Sequence, residues 1–210
     1  RRSKRGRTLS QPSPIPSANS AINYTVPRLR INKWAATVLG DWTVGAFVAY
    51  ASGTPILVPA SQNRLNTLLF RGTVANRVPG EPLFTQDLNC HCFDPNKQFV
   101  LNPKAWVDPP AGQWGSTAPY LADYRTNRRP QESLNIGRNF RIREGMVLNL
   151  RAEFSNILNR VILNSPTSTN AQATQTFDNN GKTNAGFGWI NTAALASPPR
   201  QGVIVGRFTF

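Results

Sequence analysis

The sequence predicts an all-β, antiparallel fold whose strands are long enough to cross a membrane. Three observations point to it. Several segments of about ten residues alternate apolar and polar side chains, the period-two pattern of a strand with one greasy and one wet face. The composition disfavours helices: 15 Gly and 17 Pro stand among many Asn, Gln, Ser and Thr, and only 16% of residues are charged. The connections between the alternating segments are short and long in turn, as in outer-membrane barrels.

Taken in chain order, "LRINKWAATVL" and "WTVGAFVAYA" flank Gly40-Asp41, which reads as the tight turn of a hairpin with strands at 29–39 and 42–51. In the second arm Trp42, Val44, Ala46, Val48 and Tyr50 share a face. Trp42 and Tyr50 then stand roughly 26 Å apart along the strand. With the tilt of a barrel strand the vertical span falls to about 20 Å, an apolar band with an interface aromatic at each end. The run from Trp34 to Ala60 carries Asp41 as its one charge, but glycines and Ser52-Gly53-Thr54-Pro55 break it into pieces too short for a spanning helix.

The clearest pattern lies further on. Strand 133–142 places Leu134, Ile136, Phe140 and Ile142 on one face, with Asn135, Asn139 and Arg141 on the other. After Arg143-Glu144-Gly145, a glycine-containing turn, strand 146–155 alternates Met146, Leu148, Leu150, Ala152 and Phe154 with the polar Asn149, Arg151 and Glu153, which read as lumen-facing. A last strand, 200–210, carries Gly202, Ile204, Gly206, Phe208 and Phe210 in one phase. The loops 52–131 and 159–199 are long and rich in Asn, Pro, Gly, Ser and Thr. With the final residue at the periplasmic side, both tight turns fall there and both long loops fall outside. Five strands cannot close a barrel, for which about eight is the usual minimum. An open edge is not viable in lipid, so the expectation is the C-terminal part of a larger barrel.

These residues resemble a known family. "LGDWTVGAFVAYASGTPI" is similar to a strand and loop near the end of TonB-dependent receptors, "LNLRAEFSNILNR" resembles their "aEfFNlfNr" strand, and "PRQGVIVGRFTF" resembles their closing strand with its terminal aromatic. The intervening "NRVPGEPLF", "LNCHCFDPN", "LNPKAW", "YRTNRRPQESLNIGRNF" and "GFGWIN" are similar to the large receptors of the Acidobacteria type, which carry a carboxypeptidase-regulatory-like domain. The resemblance implies a barrel of about 22 strands, occluded by an N-terminal plug. It implies uptake of bulky nutrients across the bacterial outer membrane, powered by the TonB complex. The plug is absent from these residues, so the chain is expected to be incompetent for transport alone. The implied partners are TonB through that plug, the barrel-assembly machinery, outer-membrane lipid and lipopolysaccharide, and a nutrient the residues do not name. Gly202, Ile204, Gly206, Phe208 and Phe210 are expected to form the assembly signal.

Other chemistries compete poorly. Cys90 and Cys92 flank His91, and the triplet reads as a loop disulfide or as unpaired structural thiols. A structural metal wants about four ligands, and no second Cys or His pair is present, so neither a metal nor another cofactor is expected. His91 is the one histidine and no G-x-S-x-G elbow exists, so no catalytic residue is assigned and no enzyme is expected. The formal charge of +14 suggests nucleic acid or an anionic surface. A soluble basic all-β module binding nucleic acid or anionic polysaccharide is the alternative reading. It finds no helix-turn-helix, zinc-finger or ribonucleoprotein motif, and no nucleic acid is expected. In a barrel, Arg138, Arg141, Arg151 and Arg207 would line the lumen, and Arg125, Arg128 and Arg129 an external loop. Trp106, Trp114, Tyr120 and Tyr124 would pack within that loop in preference to stacking on a ligand.

Overall fold

The computed structural model describes residues 16–27, 40–63, 73–90, 92–193 and 196–210. They form two compact units. The first is a five-stranded antiparallel sheet with strand order β1-β2-β7-β8-β11. Its strands are β1 (Ser17–Thr25), β2 (Trp42–Ala51), β7 (Arg129–Arg143), β8 (Met146–Ser155) and β11 (Gln201–Thr209). The second comprises 52–128 and 163–195 and contains short two-stranded ribbons. These pair β3 (Pro55–Leu57) with β6 (Tyr120–Arg125), β4 (Asn76–Arg77) with β5 (Trp106–Val107), and β9 (Thr176–Phe177) with β10 (Thr183–Ala185). Among the described residues no helix is long and apolar enough to cross a membrane.

The register of the sheet sorts its side chains into two faces. Val44 lies opposite Ile136, Ile136 opposite Ala152, and Ala152 opposite Ile204, so one apolar row runs across four strands. The next rows contain Ala46, Leu134, Phe154 and Gly202, and Trp42, Arg138, Leu150 and Gly206. Asn139, Asn149 and Arg207 form a row of the opposite, polar face. Among the described residues, parts of the apolar face are open: Ile204 is 83% exposed, Ile22 67% and Phe208 45%. Such a surface is unfavourable in water and is expected where the surrounding solvent is hydrocarbon.

The connections within the sheet differ in length. β7 and β8 are joined through Glu144-Gly145, and Gly145 takes φ 78°, a conformation glycine adopts at little cost. The connections after β2 and β8 are long, and both return to the end of the sheet they left, because Ala51 pairs with Arg129 and Ser155 with Gln201.

The strand beside β2 corrects the expectation. The neighbour is β1, Ser17–Thr25, paired from Ser17↔Ala51 to Thr25↔Thr43, whereas the sequence places 29–39 there. Pairing runs on past β1, since the Val26 N–H donates to the Trp42 carbonyl at 2.7 Å and the Asp41 N–H to Val26 at 3.3 Å. Gly40-Asp41 is therefore not the turn between two paired strands, and 28–39 lie outside the described residues. β1 escapes a hydropathy reading because its apolar-face positions are Ala18, Ser20, Ile22 and Tyr24, of which two are strongly apolar.

The second unit has a core of its own. Ile56, Val58, Leu83, Val100, Leu101, Trp106, Tyr124, Phe187 and Ile190 are all buried. The long connections thus co-fold into a packed unit. Gly53 shows why the "SGTP" stretch has its composition. A Cβ at this position would stand 1.8 Å from the Thr126 carbonyl oxygen, so any side chain would force the two backbones apart. The close approach lets the Thr54 N–H donate to Thr126 Oγ1 at 2.9 Å, the Thr126 N–H to the Thr54 carbonyl at 2.9 Å, and Arg125 Nη1 to the Gly53 carbonyl at 3.1 Å.

Candidate functional site

Three sets of residues carry the candidate function: the two faces of the sheet, a polar clasp at one end of it, and a cavity in the second unit.

The sequence-predicted lumen residues Asn149, Arg151 and Glu153 share the polar face of β8. Asn149 Nδ2 donates to Asn139 Oδ1 at 2.7 Å, and Arg151 Nη2 pairs with Glu153 Oε1 at 2.6 Å. Both partners of that ion pair are about half exposed, so it orders the surface more than it stabilises the sheet. Gly45 opens a slot on this face, where a Cβ would come within 2.6 Å of the Asn135 amide. Arg141, Arg151 and Arg207 lie on this face as expected, but Arg138 does not. It occupies the apolar face because its parity is that of Leu134 and Ile136, and its guanidinium lies over the Trp42 ring at 5.7 Å and the Phe140 ring at 4.9 Å.

Trp42 and Tyr50 mark the two ends of β2 on the apolar face. Tyr50 turns out to have a polar duty as well. Its hydroxyl donates to Glu132 Oε1 at 3.1 Å, and the same oxygen accepts from Arg160 Nε at 2.8 Å. Glu132 is buried, at 5% exposure. Arg160 is delivered by the turn after β8. Asn156 and Asn159 both take φ 49°, a left-handed conformation that Asn tolerates better than most residues. Asn156 Oδ1 accepts from the Arg160 N–H at 2.7 Å, while its Nδ2 donates to the Arg160 carbonyl at 2.9 Å and the Pro198 carbonyl at 3.1 Å. Asn159 Oδ1 accepts from the Arg200 N–H at 3.2 Å. The clasp ties β2, β7, the exit of β8 and the approach to β11. Within "SNILNR" the repeated Asn ahead of Arg is the local signal of this turn.

On β11, Gly202, Ile204, Gly206 and Phe208 point to the apolar face. Gly202 seats the Phe154 ring, which a Cβ would meet at 3.1 Å. The Phe208 and Phe210 rings lie 6.0 Å apart.

In the second unit a cavity of about 550 Å³ is lined by Ser52 and Gly53, the stretch Phe84 to Asn89, and Asp123, Arg125, Thr126 and Arg128. Its size is that of a small-molecule site. Asp123 also pairs with Arg77 at 3.1 Å, and Asn89 Oδ1 accepts from the Arg128 N–H at 2.9 Å. Beside it, Cys90 and Cys92 are bonded to each other with their Cα atoms 5.2 Å apart, which closes the loop as a disulfide. His91 lies outside the described residues, and among those described no three His, Cys, Asp or Glu cluster as metal ligands.

Trp106 and Tyr124 are core residues of this unit, their rings 5.4 Å apart, and so are unavailable for stacking on a ligand, whereas Trp114 is exposed. Burial pushes the Tyr124 phenol well above its ordinary pKa, and the facing Trp106 indole N–H offsets part of this without closing a well-formed hydrogen bond. A neutral phenol held in the fold contributes fully below the unfolded tyrosine pKa of about 10, and that contribution is lost progressively as pH rises toward the raised pKa of the folded state. The unit should lose about 1.4 kcal/mol per pH unit from roughly pH 10 upward. Tyr124→Phe should remove that slope and change neutral-pH stability by less than about 1 kcal/mol, because the lost hydroxyl is poorly satisfied. Urea unfolding of both proteins between pH 8 and 11.5 checks it; parallel pH profiles would reject the assignment.

An antiparallel sheet with one polar face, one partly exposed apolar face, aromatic ends and long connections at one end defines a membrane β-barrel wall. The five strands do not close on themselves among the described residues; β1 and β11 are the outer strands. Comparison with known families agrees: the profile described as outer membrane beta barrel domain matches residues 17–202, and the chain belongs to this family. Its place is the bacterial outer membrane. No curated protein and no solved structure matches the chain. The soluble basic module is set aside by this membership.

Proposed function

We propose that the chain is the C-terminal barrel portion of a TonB-dependent receptor that takes up bulky nutrients, and that it performs no catalytic step. The observation that carries this reading is the co-folding of the two long connections into one packed unit with its own core and a 550 Å³ cavity. A mere pore needs no such unit, whereas a receptor needs a preformed surface to capture its ligand. The long connections are external and the Glu144-Gly145 turn periplasmic, following the length asymmetry of outer-membrane barrels. Asn149, Arg151 and Glu153 then line the path within the barrel. TonB acts through a plug, the strand from Gly202 to Phe210 is read by the assembly machinery, and the external arginines face lipopolysaccharide.

Labelling of the protein in intact cells, combined with crosslinking to TonB, tests the proposal. A membrane-impermeant maleimide should modify Arg128→Cys from outside, but Glu144→Cys only after permeabilisation. In-cell crosslinking should trap the protein with TonB. The opposite labelling pattern would reject the topology, and absence of the TonB adduct would reject the receptor assignment.

A further inference from the structure

The cavity of about 550 Å³ lies wholly within the second unit, since every residue lining it falls between 52 and 128. Two acidic and two basic side chains line it, Asp87 and Asp123 against Arg125 and Arg128. Asp123 is already paired with Arg77, and Arg125 is turned to backbone, donating to the Gly53 and Ala122 carbonyls at 3.1 and 3.0 Å. Asp87 and Arg128 remain, and their charges cancel, which suits neither a polyanion nor a cation.

The polar atoms left over differ in kind. Asp87 Oδ1 accepts from the Asn89 N–H at 2.9 Å, and Asn89 Oδ1 accepts from the Arg128 N–H at 2.9 Å. Each side chain thus spends one atom on the loop. Among the described residues Asp87 Oδ2, an acceptor, and Asn89 Nδ2, a donor, have no protein partner, and neither has the Gln86 amide. The Cys90–Cys92 disulfide and the Cys90 N–H, which donates to the Asp87 carbonyl at 3.1 Å, hold this wall. Phe84 and Leu88 add an apolar part, and the Phe84 ring is braced against Tyr124 at 5.4 Å.

We propose that this cavity binds a neutral carbohydrate, a short oligosaccharide. The inference rests on the receptor reading under Proposed function and names the class of nutrient captured. A sugar hydroxyl both donates and accepts, so neighbouring hydroxyls of one ring can meet the acceptor on Asp87 and the donor on Asn89. The C–H face of the ring is apolar and suits Phe84 and Leu88. The volume is in the range of small-molecule sites, and a preformed wall spares the ligand the cost of ordering it.

The test is isothermal titration of the full-length protein, in a detergent without a sugar headgroup, against neutral trisaccharides of glucose, mannose, galactose and xylose. Trigalacturonate and trialanine serve as charged comparisons. At least one neutral trisaccharide should bind, and the charged probes at least tenfold more weakly. Asp87→Asn and Asn89→Asp keep the oxygen that holds the loop but exchange acceptor for donor and the reverse, so each should weaken binding at least tenfold at unchanged Tm. Asn180→Asp, outside the cavity, should bind as wild type does. Wild-type affinity in both exchanged variants would overturn the site. Absence of binding by every neutral trisaccharide, or stronger binding of trigalacturonate or trialanine, would overturn the ligand class. A protein that crosslinks to TonB and binds no sugar fails here alone, whereas one that binds sugar without the adduct fails only as a receptor.

Discussion

Leu134→Arg should cost about 2–4 kcal/mol, whereas Ser133→Arg, one residue earlier, should change stability by less than about 1 kcal/mol. Leu134 pairs with Ala46, midway between Trp42 and Tyr50 on β2, and so lies near the centre of the apolar band. Arginine there would place a guanidinium in hydrocarbon with no headgroup within easy reach. Ser133 belongs to the polar face, where a charge meets water. Urea unfolding in phospholipid vesicles gives the two energies, and the yield of each variant in the outer-membrane fraction gives an independent readout. In a water-exposed sheet both arginines would be tolerated alike, so equal stability of the two variants would sink the lipid-facing assignment.

Loss of Arg160 should be the second large effect. Arg160→Met leaves the Glu132 carboxylate buried with Tyr50 as its remaining side-chain donor. Removing one partner of a buried pair costs about 3–5 kcal/mol, and the partial exposure of Arg160 (38%) argues for the lower end. The penalty comes mainly from the stranded charge. Glu132→Leu combined with Arg160→Met should therefore recover much of the loss, because both charges go and apolar side chains replace them. A double-mutant cycle by urea unfolding measures the coupling, expected at roughly 1–3 kcal/mol. Additive single and double variants would show that the clasp contributes geometry without energetic coupling.

The clasp and the apolar face illustrate how unevenly the molecule can be read from its residues. The apolar face was legible because its signal is local: a strand's side chains alternate whatever surrounds it. β7, β8 and β11 therefore emerge from counting in twos, and the Glu144-Gly145 turn from the glycine between two alternating runs. β1 was not legible, since its wide polar content hides the alternation and its pairing with β2 is a contact between distant residues. Arg138 was misplaced for a related reason. A charge in a strand is ordinarily assigned to the wet face, and its parity with Leu134 and Ile136 was outvoted by its chemistry.

The sequence by itself determined the class of protein, because period-two patterning of membrane-length strands survives without knowledge of any neighbour. It also located the short Glu144-Gly145 turn and the long stretches after β2 and β8, which is a matter of spacing along the chain. The tertiary structure alone decided that the long connections form a packed unit with a cavity. Its core draws Ile56, Leu101, Tyr124 and Phe187 from positions far apart in sequence. The clasp likewise joins Tyr50, Glu132, Asn156, Arg160 and Pro198 across more than a hundred residues. No periodicity records such contacts, because hydrogen bonds and apolar packing depend on distances that exist only once the chain has folded.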